Sequence, residues 1–413
     1  MEKHYDSSSR AAQGIYITKI MYLSKEMISN LKTLSDINVR DKRVLLRLDL
    51  NSDIRNGKLI PSERLTAPLE TINELQTKGA RIVILAHQGR PGSDDFVSLR
   101  QHANFLKKHI RNFQCVPDVI GIKAIKAIAQ LKSKQVLLLD NVRFVEDELN
   151  YKEGKPNLLV TQLAPLFDYY INDAFSASHR AHASITGFPK FLPSAIGRVF
   201  EKELRAIQKL HINNALLVLG GAKPEDNISL LGKRKNKILA SGLFGPFCLM
   251  SLGKQLGKQN EIMKKELKAY ASLIKKNKNH IATPKDLAIE QNGKRKDLTL
   301  DEFPVNKEIL DLGIQTIEDY TREIINAKAV FFKGLVGLCN KPEFSIGTEA
   351  LLKALTLCKG FTVVSGGHTH TMIEKLRIPK SKFGYVSLSG GALIHYLAEG
   401  TLPGIEALRK NNR

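Results

Sequence analysis

The chain has 413 residues, with 63 Lys and Arg against 41 Asp and Glu, a formal net charge of +22, and 43% hydrophobic residues. That length and apolar fraction suit two or three packed domains and argue against a largely disordered chain. The charge points to an anionic partner: nucleic acid, an acidic membrane surface or a multiply phosphorylated small molecule.

The N-terminal stretch MEKHYDSSSRAAQGIY is polar and lacks the apolar core of a signal peptide, and residues 1–34 read either as a flexible N-terminal extension or as following a misassigned start, since Met21 and Met27 are also available. After them, short apolar runs end abruptly in Gly, Asn, Asp or His, and helical stretches follow. The runs are Arg43–Leu50, Arg81–Ala86, Gln135–Leu139, Tyr169–Ile171, Ala215–Leu219, Ala329–Phe332, Phe361–Val364 and Tyr385–Leu388. Continuous apolar runs suit strands buried on both faces, and their alternation with helices implies parallel sheets. The charged, helix-prone segment 197–212 separates two different chemistries. The expected fold is therefore α/β: two Rossmann-like three-layer α/β/α domains with parallel sheets, 35–196 and 213–391, joined by a hinge helix, with a terminal segment 392–413. The longest uncharged stretch, Ile238–Gly253, is too short and interrupted to span a bilayer easily. Cys115, Cys248, Cys339 and Cys358 form no CxxC pair and no zinc spacing, which fits a reducing cytosol.

In the first half, polar residues cluster at run ends. Asp49 and Asn51 close the first run, and Arg64 follows. His87 and Arg90 close the second, Arg143 the third, and His179 and Arg180 follow the fourth. If those strands are neighbours, the Arg side chains converge at one sheet edge, where guanidinium forks suit a phosphate or carboxylate. Taken singly, each Arg reads better as a solvated loop residue; four at successive run ends make coincidence less attractive. In the second half, Gly220-Gly221 with Lys223, Gly366-Gly367 and Gly390-Gly391 end strands, and Gly334 punctuates another. Glycine admits close backbone approach, and helix N-termini favour anions. Neither a Walker loop nor a GxGxxG after the first strand is present. One lobe for a small anion and one for a nucleotide suggest phosphoryl transfer with hinged closure, for which Arg64 and Lys223 are the cationic candidates.

The motifs LLRLDLN, HQGRPG, LLLDNVRF, INDAFSASHRAHAS, LGGAK, SGGHT, SLSGGA and LPGIEAL, in this order and spacing, resemble the phosphoglycerate kinase family over roughly residues 35–409. HQGRPG and the His of SGGHT look like its archaeal branch. The resemblance implies phosphate transfer between ATP and 3-phosphoglycerate with Mg²⁺, in the cytoplasm, by a monomer or homodimer, with no specific nucleic acid or membrane partner. It implies a 3-phosphoglycerate site of Asp49, Asn51, Arg64, His87, Arg90, Arg143 and Arg180. It implies a nucleotide site of Gly220, Gly221, Lys223, Gly242, Gly334, Asn340, Gly366, Gly367 and Thr369. Arg64, Lys223, Gly367 and Gly390 take catalytic roles, with Gly391 beside them, and segment 392–413 packs back on the first domain.

Departures from the family pattern concentrate in the nucleotide lobe. His368 replaces the Asp usual near Mg²⁺, so no metal ligand is assigned; imidazole is a poor Mg²⁺ ligand. Asn227 stands where a second Lys often follows GGAK in the family, though its archaeal members also tend to lack that Lys. Lys333, Leu335 and Asn340 replace the Asn, Pro and Glu of a segment close to NGPxGxFE, and Ser365 replaces a Gly. Two other readings stand beside the active kinase. One is a descendant with weakened nucleotide binding, motivated by these departures. The other is a nucleic-acid binder, motivated only by the basic clusters Gly232–Lys237, Lys264–Lys268 and Lys275–Lys278, which lack interleaved aromatics.

Overall fold

All eight apolar runs become strands, because each has β-branched or Leu side chains on both faces and can be buried from above and below. The computed structural model describes residues 30–231 and 235–411. Most of the expected extension, 1–29, and residues 232–234 of the first basic cluster lie outside the described residues. Residues 30–34 are packed: Leu31 and Leu34 are buried, and Lys32 accepts a hydrogen bond from the Ile196 N–H at 2.8 Å.

The described chain forms two units, one from residues 30–204 and 403–411 and one from 205–402. The strands of the first unit are β1 Arg43–Arg47, β2 Ile54–Arg55, β3 Lys58–Leu59, β4 Arg81–Leu85, β5 Phe113–Cys115, β6 Val136–Leu138, β7 Tyr169–Asn172 and β8 Ser194–Ile196. Six of them make a parallel sheet in the order β5-β6-β4-β1-β7-β8, while β2 and β3 form a small antiparallel hairpin. Central β1 sets Leu46 beside Ile84 on β4 and Ile171 on β7. One face carries Val44, Leu46, Ile82 and Ile84 into a cluster with Leu65, Ile72, Leu75 and Leu106. On the other side Tyr170 stacks on Phe188 at 5.7 Å, and Phe175 meets Phe200 edge-on at 5.1 Å.

Phe200 lies on the linker helix Arg198–Leu210. Its start is fixed in the first unit. The Asp173 carboxylate accepts the Phe200 N–H at 3.0 Å, and Arg198 forks onto Glu74 at 2.7 and 2.8 Å. Acidic groups at a helix N-terminus oppose its partial positive charge.

The second unit contains β9 Leu216–Leu219, β10 Ile238–Ala240, β11 Ile281–Ala282, β12 Asp286–Gln291, β13 Lys294–Thr299, β14 Ile309–Leu312, β15 Ala329–Lys333, β16 Phe361–Ser365 and β17 Tyr385–Ser387. Six are parallel, in the order β11-β10-β9-β15-β16-β17. Helix Lys264–Asn277 packs on helix Phe244–Ser251, and helix Ile314–Asn326 on helix Ile346–Leu357. The uncharged stretch Ile238–Gly253 is thus a strand, a turn and a helix buried along its whole length.

One element departs from the expected architecture. β12, β13 and β14 form an antiparallel sheet of their own. Its hairpin turns at Asn292 and Gly293, both at positive φ, 54° and 72°. An Asn-Gly pair between two strands is a strong local signal for such a turn. β13 carries Lys294, Arg295, Lys296 and Asp297, so no apolar run marks it. The chain also changes units later than residue 392: helix Gly391–Glu399 belongs to the second unit, and helix Pro403–Asn411 to the first.

Candidate functional site

The strand order makes β6, β4, β1 and β7 consecutive neighbours, so the residues after their carboxyl ends meet at one edge. After β1 comes Asp49. Its carboxylate accepts hydrogen bonds from the Arg64 guanidinium and the Ser176 hydroxyl, and from the Asn51 N–H at 3.0 Å. Burial opposes its ionisation, but Arg64 and these donors hold its carboxyl below the usual range. Asn51 Oδ1 accepts the Gly89 N–H at 2.8 Å, which ties the β1 end to the β4 end.

Arg47, the last residue of β1, is fully buried, and sequence reasoning assigned it no role. Its Nε donates to Ser184 Oγ at 2.7 Å, and one Nη lies 3.1 Å from His87 Nδ1. A guanidinium only donates, so His87 Nδ1 accepts and the ring proton sits on Nε2. Burial, then Arg47, hold the His87 imidazole well below its ordinary value, so it is neutral. Behind Arg47 lies a fully buried carboxyl. Glu148 accepts the Ser184 N–H and hydroxyl, both at 2.7 Å. The result is a chain from Glu148 through Ser184 and Arg47 to His87 that fixes which ring nitrogen can donate outward.

Three further arginines join. Arg143 donates to the Gly89 carbonyl, while its Nε is buried without a partner among the described residues. Burial, then Arg180 and Arg47, push its guanidinium down to about 10. Arg180 is shifted down by burial, then by Arg90. Arg90 extends outward, its N–H held by Ser93 Oγ at 3.0 Å. His182 is pressed down to about 3 by burial, then by Arg143. Arg90, Arg143 and Arg180 have no carboxylate partner in an ion pair among the described residues. Five guanidiniums therefore press on one another around two buried carboxyls, Asp49 and Glu148. At least three positive charges are left uncompensated, which is an anion site by electrostatics alone.

A buried amide frame holds these loops. Gln88 accepts the Ser52 N–H at 3.0 Å, donates to the Ser52 carbonyl at 3.0 Å, and lies 3.1 Å from His102 Nε2. Burial holds His102 down to about 4. The unfolded chain protonates this ring near 6.5. Its stabilising contribution is thus present above that value and is lost as pH falls toward 4. Between pH 7 and 5 His102 should cost about 2 kcal/mol. Urea unfolding of His102→Gln, which keeps a donor to Gln88, should show a correspondingly smaller loss between those two pH values.

In the second unit the glycines divide into two kinds. A Cβ on Gly334, at φ +84°, would lie 2.7 Å from Gly221 N, and one on Gly242 would lie 2.6 Å from the same atom. Gly220 and Gly221 N–H groups donate to the Lys333 and Leu335 carbonyls, both at 2.8 Å. These four glycines let three strand ends pack backbone on backbone. By contrast, a Cβ on Gly367, Gly390 or Gly391 would meet nothing within 4 Å. Those three keep open space at the ends of β16 and β17, where helices Gly367–Lys375 and Gly391–Glu399 begin. Gly366 adjoins the buried Thr369, whose hydroxyl has no partner among the described residues. Lys223 and His368 are exposed after β9 and β16. Asn340 is exposed in a turn.

Parallel strands that end in an arginine cradle in one unit and in an open, glycine-lined edge in the other define an α/β phosphotransferase of two units. A phosphoglycerate kinase family model matches residues 34–400. A phosphoglycerate kinase of Methanopyrus kandleri is 36% identical over 400 residues, covering 92% of this chain and 98% of the relative. One of Saccharolobus solfataricus is 39% identical, covering 91% and 96%. The crystal structure of phosphoglycerate kinase from Pyrococcus horikoshii superposes with a TM-score of 0.83 at 32% identity, over 92% of this chain and 99% of that one. The chain belongs to the phosphoglycerate kinase family.

Proposed function

We infer that this chain catalyses reversible phosphoryl transfer between ATP and 3-phosphoglycerate, giving ADP and 1,3-bisphosphoglycerate. The observation that carries the acceptor assignment is the charge balance of the first site. Its uncompensated positive charges, at least three, match a phosphate dianion plus a carboxylate. In this reading Arg90, Arg143 and Arg180 take the phosphate, and His87 donates from Nε2. Asp49 and Asn51 address the hydroxyl and the carboxylate end, and Arg64, aimed by Asp49, stabilises charge on the transferring group. In the second unit Lys223 and the N-termini of helices Gly367–Lys375 and Gly391–Glu399 take the nucleotide phosphates. The open space above Gly367 and Gly390 supports this role, with Gly366 and Thr369 beside them. Gly220, Gly221, Gly242 and Gly334 shape the adjoining strand ends.

The described residues hold no group of three His, Cys, Asp or Glu fit to retain a metal. In this reading Mg²⁺ comes with the nucleotide as part of the substrate, a hard cation suited to its phosphate oxygens. Cytoplasmic work fits the four free cysteines, and among the described residues no helix is long and apolar enough to cross a membrane. The basic clusters that motivated a nucleic-acid binder fall partly on helix Lys264–Asn277, where Lys264, Lys265, Lys268, Lys275 and Lys276 are exposed to solvent.

A coupled assay with Mg-ATP and 3-phosphoglycerate tests the reading. Turnover well above that of a Lys223→Ala control is expected, and turnover no greater than that control overturns it.

A further inference from the structure

The loop that follows β15 is held from two sides. Its start belongs to the glycine edge: the Leu335 carbonyl accepts the Gly221 N–H at 2.8 Å, and the Gly334 N–H donates to the Ser365 carbonyl at 3.3 Å. Its next residues lie on the antiparallel sheet and on a helix. The Leu338 N–H donates to the Leu310 carbonyl of β14 at 2.8 Å. The Val336 and Gly337 N–H groups share one acceptor, Thr348 Oγ1, at 2.9 and 3.2 Å. Thr348 lies on helix Ile346–Leu357 and is fully buried. Three consecutive backbone donors are thus fixed by groups outside the loop, although strand-end loops are ordinarily the mobile part of a fold.

One carboxylate joins sheet, helix and loop. Asp311 of β14 is buried. Its Oδ2 accepts the Gly347 N–H and the Arg295 guanidinium, both at 2.9 Å, and its Oδ1 accepts the Leu312 N–H at 2.9 Å. The Gly347 N–H is one of the donors that the first turn of a helix leaves without an internal partner. Arg295 of β13 continues to the Leu312 carbonyl at 2.6 Å and to the Glu343 carbonyl at 2.9 Å. The loop rests against the same carboxylate: a Cβ on Gly337 would lie 2.4 Å from Asp311 Oδ1.

We propose that Asp311 and Thr348 are positioning residues for nucleotide binding, and that the antiparallel sheet β12-β13-β14 is the buttress through which the loop 334–340 is set. The inference rests on the nucleotide reading of the second unit and adds to it. Both side chains act through backbone. They hold residues 336–338, and with them the Leu335 carbonyl on which Gly221 closes. A displacement of about 1 Å, even one caused far from the reacting atoms, can cost on the order of 10²-fold.

The test uses the full chain in four forms: wild type, Thr348→Val, Thr348→Ser and Asp311→Asn. Mg-ADP affinity is read by calorimetry, KM for Mg-ATP and for 3-phosphoglycerate by the coupled assay, and folding by thermal unfolding. Thr348→Val keeps the shape and removes the acceptor. It should weaken Mg-ADP binding and raise the KM for Mg-ATP by about 10-fold or more, with the KM for 3-phosphoglycerate within twofold. Thr348→Ser, which keeps the hydroxyl, should recover most of the loss. Asp311→Asn can still accept one N–H and should move the same two quantities in the same direction by less. A Thr348→Val protein that melts earlier yet binds Mg-ADP within twofold of wild type overturns the proposal, because the role is then only structural. So does a parallel rise in both KM values, or a Ser variant no better than the Val variant. If Thr348→Val does not fold, Asp311→Asn decides by the same readings. A wild type that binds no Mg-ADP would overturn the nucleotide reading itself, whereas one that binds it without turning over would sink only the kinase reading and leave this inference to the affinities.

Discussion

Replacing Arg64 with alanine should lower kcat/KM for transfer to 3-phosphoglycerate by roughly 10²–10³-fold, and should also lower the thermal midpoint, because it strips the buried Asp49 carboxylate of its cation. Arg64 is only partly buried, and its role comes from aim rather than packing. Asp49 and Ser176 hold its guanidinium at the edge where β1 and β7 end. A transition state for phosphoryl transfer spreads charge over three oxygens, and a fixed fork meets that charge without reorganising. Arg64→Lys should recover only part of the rate, because a point charge cannot keep the paired geometry. The variant also changes the acid behaviour of Asp49. In the native protein Arg64 and the Ser176 hydroxyl overcome burial and hold that carboxyl below its ordinary value. Asp49 then contributes stability above about pH 4, which is lost as pH falls through its lowered value. Without Arg64 the carboxyl moves upward, and less of that contribution remains near neutral pH. Urea midpoints of both proteins from pH 4 to 7 would show whether the slope changes in that direction.

The second large effect is structural. Glu148→Leu should destabilise the protein by about 3–5 kcal/mol, because it strips the carboxylate from behind Arg47 and leaves the Ser184 N–H and hydroxyl unsatisfied. Glu148→Gln should cost only about 1 kcal/mol, since a carboxamide can accept the Ser184 N–H and donate to Ser184 Oγ. Denaturant unfolding of the pair separates charge from hydrogen-bond geometry. Equal losses for both substitutions would mean that charge alone matters. In Glu148→Leu, Arg47 loses its backing and the His87 ring its fixed tautomer. The KM for 3-phosphoglycerate should therefore rise while that for Mg-ATP stays put.

The legible and the hidden parts of this protein differ for a physical reason. A central parallel strand must be apolar on both faces, so runs such as Arg81–Ala86 and Ala329–Phe332 announce themselves. The residues just past them, from Asp49 to Arg180, could be grouped once the strands were taken as neighbours. Short edge strands such as β5 and β11 bury too little to leave a run. β13 hides because one face of its sheet is charged, although Asn292-Gly293 marks its turn. Arg47 was hidden by position: as the last residue of an apolar strand it reads as the strand's polar end. Its partner Ser184 lies 137 residues away. Glu148 sits in an acidic triplet that reads as solvated surface, and only tertiary burial distinguishes it from Glu146. The glycine pairs read alike in sequence. Whether a Cβ would strike a neighbouring backbone or open space depends on strand packing that no pair of letters encodes.

Helix Pro403–Asn411 packs on segments Ala183–Gly187 and Phe188–Lys190, burying Ile405 and Leu408, and the Gly404 N–H donates to the Ser178 carbonyl at 2.9 Å. The first unit is therefore finished by residues that follow the whole of the second. On a ribosome, residues 30–204 emerge with an open apolar seam that stays open while about two hundred more residues are made. Covering Ile405 and Leu408 contributes about 1.5–3 kcal/mol for each side chain, and this becomes available only after the second unit has been made. Translation order thus couples the two units: the arginine cradle gains its final support only after the glycine-lined half has left the ribosome. A chain that stops short of residue 403 carries every strand of both sheets and still lacks the piece that closes the first.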